Sequence, residues 1–122
     1  MKFNYADYAV CHKGTLLDAA EVIEYTHSRS AVVIKNRKVI GIISEGDILR
    51  ALLNGVGVHA PLATFFNHSF KFLSVPDKGR ALELFRNFGI SLIPVVDKDF
   101  RLTDVITLNE ILNDLDPLLP KR

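Results

Sequence analysis

Two polar residues, Ser44 and Asp47, stand where an apolar run ends and could bind a ligand there. The run from Val39 to Ile43 is rich in β-branched residues, which predicts a buried strand. Ile48 and Leu52 then follow a helical spacing. A strand that leads directly into a helix presents free N–H groups and the positive end of the helix dipole, which favour an anion. Asp47 could accept two hydrogen bonds from a ribose diol, while Ser44 and nearby amides bind a phosphate.

The same two residues also have a purely structural interpretation. Ser-x-x-Asp is a variant of the capping box, in which the serine oxygen and the carboxylate each accept a hydrogen bond from a backbone N–H of the first helical turn. Such a box satisfies these donors with no ligand present. On the sequence alone, both interpretations of Ser44 and Asp47 stay open.

The whole pattern recurs 63 positions later, so that Ser44 corresponds to Thr107 and Asp47 to Glu110. Other matching residues align under the same shift without a gap: Val32-Val33 with Val95-Val96, Ser28 with Ser91, Lys35 with Lys98 and Ile48-Leu49 with Ile111-Leu112. This internal duplication predicts two repeats of strand, helix, strand, strand and helix. Because one such repeat would expose an apolar face, the two must pack together.

Composition narrows the class of protein. The 122 residues, 48% of them hydrophobic, suffice for about one compact domain. A net charge of +1 gives no reason to expect nucleic acid or a membrane surface as a partner. The single cysteine, Cys11, fits a reducing compartment, and no stretch approaches the roughly 20 apolar residues of a membrane helix. We therefore expect a cytoplasmic protein, and the spacing of the four histidines predicts no metal site.

Turn residues and helix caps predict where the two repeats begin and end. We expect repeat one at about 5–55, a connector at about 55–68, repeat two at about 69–116 and a tail at 117–122. Each repeat is expected to begin with a short lead-in strand, at 7–10 in the first and at 70–73 in the second. Asp116-Pro117 is expected to end the last helix.

The order of elements, the run Pro94 to Asp97 and the junction Gly-apolar-apolar-Ser/Thr-x-x-Asp resemble a tandem cystathionine-β-synthase (CBS) domain pair over nearly the whole chain. The fold class implied is α/β (α+β), with two pseudo-symmetric repeats packed into one CBS-pair module at 1–122. The run from Ser44 to Ile48, with a glycine before it and Arg50 after it, is also similar to CBS pairs attached to sugar-nucleotidyltransferases.

The resemblance implies a regulatory module and not an enzyme, with an adenine nucleotide (AMP, ADP, ATP or S-adenosylmethionine) as a regulatory ligand and no cofactor. The ligand would lie in the cleft between the repeats, with Ile42 beside the base and with partners of Ser44 and Asp47 from the opposite repeat. The implied ligand-binding residues are Ile42, Ser44, Asp47, Phe72, Leu73, Ser74, Ile90, Ser91 and Pro94.

A second, symmetry-related cleft is less favourable for a nucleotide. Its residues would be Val10, Ser28, Arg29, Val105, Thr107 and Glu110. Glu110 replaces the aspartate of the family by a longer side chain and makes the better capping residue. Asp104 stands where the first repeat has Gly41, which adds a negative charge beside the phosphate path. Arg29 could supply a compensating positive charge.

Apolar residues on the second helix of each repeat exceed what one small core needs, namely Leu49, Leu52, Leu53, Leu112 and Leu115. They predict a homodimer, the commonest form of self-association. An oligomerisation or scaffold module with both junctions only capping helices is the alternative function, and a regulatory piece of a sugar-nucleotidyltransferase is another. An enzymatic function is supported only by the carboxylates of the clefts. The sequence does not identify the enzyme that the module would regulate.

Overall fold

The computed structural model describes residues 3–115. Within this range, four helices and five strands form two strand-and-helix repeats, which confirms the expected fold class. The first repeat comprises β1 (Ala9–Cys11), α1 (Leu16–Thr26), β2 (Ser30–Lys35), β3 (Lys38–Ser44) and α2 (Glu45–Leu53). The second comprises α3 (Lys78–Phe88), β4 (Leu92–Val96), β5 (Leu102–Thr107) and α4 (Leu108–Leu115). Short 3-10 helices lie at Tyr5–Tyr8 and Leu62–Thr64. The predicted helix end at Asp116-Pro117 and the tail at 117–122 lie outside the described residues.

Each repeat builds its own small sheet. In the first, β2 is central, with β1 parallel to it and β3 antiparallel to it. In the second, β4 and β5 pair antiparallel, with Leu92 opposite Thr107. The β2–β3 register places Ser30 opposite Ser44, so that the start of β2 and the end of β3 lie side by side. No helix among residues 3–115 is long and apolar enough to cross a membrane.

The prediction of a lead-in strand at 70–73 is wrong. Within the described residues this stretch makes a single β-bridge, from Leu73 to Val95. Leu73 N donates to Pro94 O at 3.1 Å, and Val96 N donates to Leu73 O at 2.9 Å. Continuing this parallel pairing would require the N–H of residue 94 as donor to the carbonyl of Lys71, and proline has no N–H. Pairing therefore stops, and the chain before Leu73 is free to take another course.

Strands β2 and β4 are buried on both faces. Val33 packs with the helices of the first repeat, whereas Val32 lies in a cluster between the repeats that also contains Leu92 and Val96. In β4, Val95 belongs to the core of the second repeat. This alternation follows from the period of two along a strand. The residues expected in the core are confirmed as buried, each at most 2% exposed: Val32, Val33, Ile43, Val95, Val96 and Ile106.

One hydrogen bond marks the axis that relates the repeats. Ser91 Oγ donates to the carbonyl oxygen of Ser28 at 3.0 Å, and these residues are 63 positions apart. Residues that are equivalent under a two-fold relation can touch each other only near its axis. The sequence shift of 63 is therefore also the spatial correspondence between the repeats.

Gly41 determines the path of the connector that follows α2. Asn67 pairs with Ile42 through two backbone hydrogen bonds, of 3.1 and 2.8 Å, and Phe66 packs directly over Gly41. A Cβ built on Gly41 would overlap the ring of Phe66 and lie 2.7 Å from Asn67 O. Only glycine permits this approach, which brings residues 67–71 to the end of β3 where the junction with α2 lies.

Candidate functional site

A cavity of about 570 Å³ opens between the two repeats at the β3–α2 junction. One wall comes from the first repeat, through the start of β2, the end of β3 and the first turns of α2. The opposite wall comes from the connector and from the turn between α3 and β4. The lining residues are Arg29, Ser30, Ile42, Ser44, Glu45, Asp47, Arg50, Asn67, Ser69, Phe70, Lys71, Phe88, Gly89, Ile90, Ser91 and Leu92. We refer to this cavity as the first cleft.

The structure brings together five of the residues expected around a ligand: Ile42, Ser44, Asp47, Ile90 and Ser91. Phe72, Leu73, Ser74 and Pro94 do not line the first cleft. Pro94 is fully buried in β4, and Leu73 is bonded to that strand. The wall expected at 72–74 is formed instead by the connector residues up to Lys71, because the chain leaves the cleft when it reaches the bridge at Leu73.

Ser44 and Asp47 form the capping box at the start of α2. Ser44 Oγ accepts a hydrogen bond from Asp47 N at 3.1 Å, and Asp47 Oδ2 accepts one from Ser44 N at 2.8 Å. The other carboxylate oxygen, Oδ1, accepts a hydrogen bond from Arg50 Nη2 at 2.7 Å. The Asp47 side chain retains 23% exposure. The structural role of the pair is therefore present, and part of the carboxylate remains accessible.

Charged side chains around the first cleft carry a positive excess. Among the described residues, three cations, Arg29, Arg50 and Lys71, line it together with two carboxylates, Glu45 and Asp47. Arg29 Nε lies 3.8 Å from Glu45 Oε1, and both side chains are more than half exposed, so this pair contributes little to stability. Arg29 was expected in the second cleft, and the structure places it in the first. The reason is that Arg29 precedes β2, whose start lies beside the end of β3.

Apolar surface is available in the same cavity. Ile42 and Phe70 are partly buried against the cluster between the repeats, and Ile90 packs against the core of the second repeat. Lys71 Nζ lies 4.2 Å from the centre of the Phe88 ring, a cation–π contact at the cleft wall. The first cleft thus combines apolar side chains, a carboxylate acceptor and cations, which suits a ligand with a flat base, hydroxyl groups and an anion.

The residues expected in the second cleft are mostly buried. Val10, Ser28, Val105 and Thr107 are each at most 7% exposed. Thr107 Oγ1 accepts a hydrogen bond from Glu110 N at 3.2 Å, which is half of the expected capping box. The Glu110 carboxylate lies 3.4 Å from Lys78 Nζ.

Tyr8 packs close to residues expected in the second cleft. It is 8% exposed and packs in the cluster between the repeats together with Val105. Burial raises the pKa of Tyr8, and the negative charges of Glu110, Asp7 and Asp104 raise this pKa further. Three carboxylates near Tyr8 add negative charge to this side of the module, and Lys78 pairs with one of them, Glu110.

Sequence reasoning missed Phe70, Lys71 and Arg50 as lining residues. For Phe70 and Lys71 a signal existed, since Pro94 lacks the N–H that a strand at 70–73 would need. Arg50 lies three residues after Asp47 on one helix, a spacing at which charged side chains meet.

Comparison with known proteins identifies related sequences and folds. A family model described as CBS domain matches residues 8–54 and 78–116. A CBS domain protein of Pyrobaculum aerophilum complexed with AMP superposes with a TM-score of 0.74 at 21% identity, covering 89% of this chain and 84% of that chain. A putative acetoin utilization protein of Vibrio cholerae gives a TM-score of 0.75 at 22% identity, covering 92% and 89%.

Two further matches are to parts of longer chains. The cytosolic domain of the Mg²⁺ channel MgtE in complex with ATP has a TM-score of 0.69 at 18% identity, covering 89% of this chain and 45% of that one. An uncharacterized protein of Helicobacter pylori is 32% identical over an alignment of 97 residues, and the match covers 75% of this chain and 29% of that relative's length. At these identities the structural matches show a common fold.

Proposed function

This chain belongs to the CBS domain family, and we propose that it is a regulatory module that binds an adenine nucleotide in the first cleft. The observation that carries the proposal is the cavity of about 570 Å³ at the β3–α2 junction, with Asp47 and Ser44 on one wall and the second repeat on the other. Family members with AMP and with ATP bound support the class of ligand.

The parts of a nucleotide match the parts of the first cleft. Asp47 is the acceptor for the ribose hydroxyls, and Ser44 lies at the phosphate end. Ile42, Phe70 and Ile90 provide apolar surface for the adenine. The excess of cations favours a nucleotide with phosphates over S-adenosylmethionine, whose sulfonium group is positively charged.

We assign the nucleotide a regulatory and not a catalytic role. A ligand in the first cleft contacts both repeats at once, since one wall belongs to the first repeat and the other includes the turn between α3 and β4 of the second. It therefore stabilises the arrangement of the repeats to which it binds best, and can shift the shape or assembly of a larger protein. A regulatory piece of a sugar-nucleotidyltransferase is the alternative, since the run from Ser44 to Arg50 resembles CBS pairs of those enzymes.

Self-association belongs to the same proposal. Leucines on α2 and α4 are exposed in the single chain, at 57% for Leu49, 83% for Leu53 and 49% for Leu112. Leu52 is 38% exposed, and the side chain of Leu115 lies outside the described residues. These leucines support a homodimer through α2 and α4, and a homodimer without any ligand is the scaffold alternative.

Calorimetric titration with AMP, ADP, ATP and S-adenosylmethionine tests the proposal, with Asp47→Asn and Glu110→Gln as a matched pair. The asparagine keeps the shape and much of the capping ability of the aspartate but is a weaker acceptor for the diol. We expect Asp47→Asn to weaken nucleotide binding about ten- to a hundredfold, roughly the 1.5–3 kcal/mol of a charge-assisted hydrogen bond. Glu110→Gln should leave the affinity unchanged.

The scaffold alternative predicts the opposite pattern. The wild-type chain would bind no adenine nucleotide below about millimolar concentration, or Asp47→Asn would lower the melting temperature and leave nucleotide binding untouched. Either result would reduce Ser44 and Asp47 to their capping role.

A further inference from the structure

Arg50 and Asp47 make a contact that bears directly on the ribose acceptor. Asp47 Oδ2 already accepts a hydrogen bond from Ser44 N, and Oδ1 accepts one from Arg50 Nη2 at 2.7 Å. Both carboxylate oxygens therefore have partners in the chain without ligand. A ribose diol that binds Asp47 must take over or share the oxygen held by Arg50.

The Arg50 guanidinium lies close to Gly46 in the first turn of α2. A Cβ built on Gly46 would lie 3.3 Å from Arg50 Nη1, tighter than ordinary van der Waals contact. Arg50 thus folds back along the first turn of α2 and lines the first cleft. Its side chain is 68% exposed, so it can move away from Asp47 without disturbing the core.

We propose that Arg50 is a specificity-determining residue that makes the first cleft select phosphorylated adenine nucleotides over the nucleoside. When the ribose hydroxyls bind Asp47, the Arg50 guanidinium leaves the Asp47 carboxylate and binds the phosphate of the same ligand. A nucleotide replaces the lost ion pair by an arginine–phosphate contact, which can be bidentate. Adenosine displaces Arg50 and offers no anion in return. This inference rests on the proposed nucleotide function of the same cleft.

The other two cations of the first cleft are placed differently. Arg29 lies near Glu45, at 3.8 Å, and Lys71 lies over the Phe88 ring. Among the lining cations in the described part of the chain, Arg50 alone has a hydrogen bond to the ribose acceptor. The coupling between ribose binding and phosphate binding is therefore assigned to this residue.

Calorimetric titration of the whole chain with AMP and with adenosine measures the selectivity as a ratio of affinities. We expect Arg50→Gln to lower the AMP-to-adenosine ratio by about tenfold or more, because AMP loses a charged contact and adenosine no longer competes with an ion pair. Arg50→Lys keeps the positive charge but cannot make the bidentate contact of a guanidinium, and it should give an intermediate ratio. Arg86→Gln, an exposed residue in the last turn of α3 outside the first cleft, removes the same charge and should leave the ratio unchanged.

Each outcome bears on a distinct claim. If Arg50→Gln weakens AMP and adenosine by the same factor, or changes neither, Arg50 does not determine the selectivity and the inference is wrong while the nucleotide site stands. If the wild-type chain binds neither compound, the proposed function and this inference fail together. Circular dichroism of the variants, with an unchanged spectrum expected, separates a change in binding from a loss of fold.

Discussion

Gly41 is the residue at which a single added carbon should matter most. In Gly41→Ala the new Cβ overlaps the Phe66 ring and crowds Asn67 O, so the connector must move off β3. We expect a loss of about 1–3 kcal/mol in the free energy of unfolding, as for other overpacked sites, together with weaker nucleotide binding, because residues 67–71 form a wall of the first cleft. Urea denaturation and calorimetry measure the two effects.

Gly57→Ala is the matched control for this substitution. A Cβ on Gly57 would meet no heavy atom within 4 Å, and this residue lies in the same connector. Its stability and affinity should equal those of the wild type. Equal stability of Gly41→Ala and the wild type would show that the connector does not depend on the close approach at β3.

At the residue level, local chemistry was predictable and long-range placement was not. The capping box of Ser44 and Asp47 involves two residues three positions apart and depends only on the helix that follows. Which side chains face them across the first cleft depends on the path of the connector, which Gly41 and Pro94 determine through tertiary contacts. Arg29 was therefore assigned to the wrong cleft, although its charge was recognised.

At the level of elements, α2 and α4 carry the exposed leucines on which self-association depends. Leu53 is 83% exposed at the end of α2, an apolar side chain with little cover in the single chain. We expect the wild type to sediment as a dimer at roughly 50 μM and Leu53→Asp as a monomer, since a buried carboxylate at an interface is strongly unfavourable. Val75→Asp changes another exposed apolar residue, 61% exposed, which belongs to neither α2 nor α4, and this variant should remain dimeric.

The 3-10 helix Tyr5–Tyr8 should make stability sensitive to alkaline pH. The pKa of Tyr8 in the folded chain lies above its ordinary value of 10.0, because of burial and the nearby carboxylates. The folded state then holds the proton more tightly than the unfolded state, so this contribution is complete below about pH 10 and is lost as the pH rises through the raised pKa.

Tyr8→Phe removes this titration and keeps the ring. Its free energy of unfolding, measured by urea denaturation at about pH 8 and about pH 11, should fall less between the two values than that of the wild type. Equal losses in both proteins would show that Tyr8 ionises as freely in the folded chain as in the unfolded one.

Most helices and strands could be predicted from hydrophobic periodicity and helix caps. The second predicted lead-in strand, at 70–73, does not form. The apolar alternation at 70–73 resembles a strand, and in isolation nothing in it opposes that prediction. The obstacle lies about twenty residues later, in the missing N–H of Pro94 on the strand that would have been its partner. Pairing partners are a tertiary property, and a local pattern does not contain them.

At the level of the whole molecule, the two halves of a duplicated chain have become different. The repeats share their register, with Ser28 and Ser91 in contact at the axis. Around that axis the first junction opens into a cavity with a positive excess. The second junction has Tyr8 packed beside it and the carboxylates of Asp104 and Glu110 nearby. Small differences at equivalent positions thus give the two junctions different packing and different local charge.

This asymmetry predicts one nucleotide per chain. Calorimetry with AMP should give a stoichiometry of about one, because the first junction combines an open cavity with an excess of positive charge for a phosphate, whereas carboxylates lie beside the second. Asp47→Asn should weaken the whole of the observed binding, since all of it is expected at the first cleft. A stoichiometry near two, or a component of binding that Asp47→Asn leaves intact and Glu110→Gln removes, would mean that both junctions bind nucleotide.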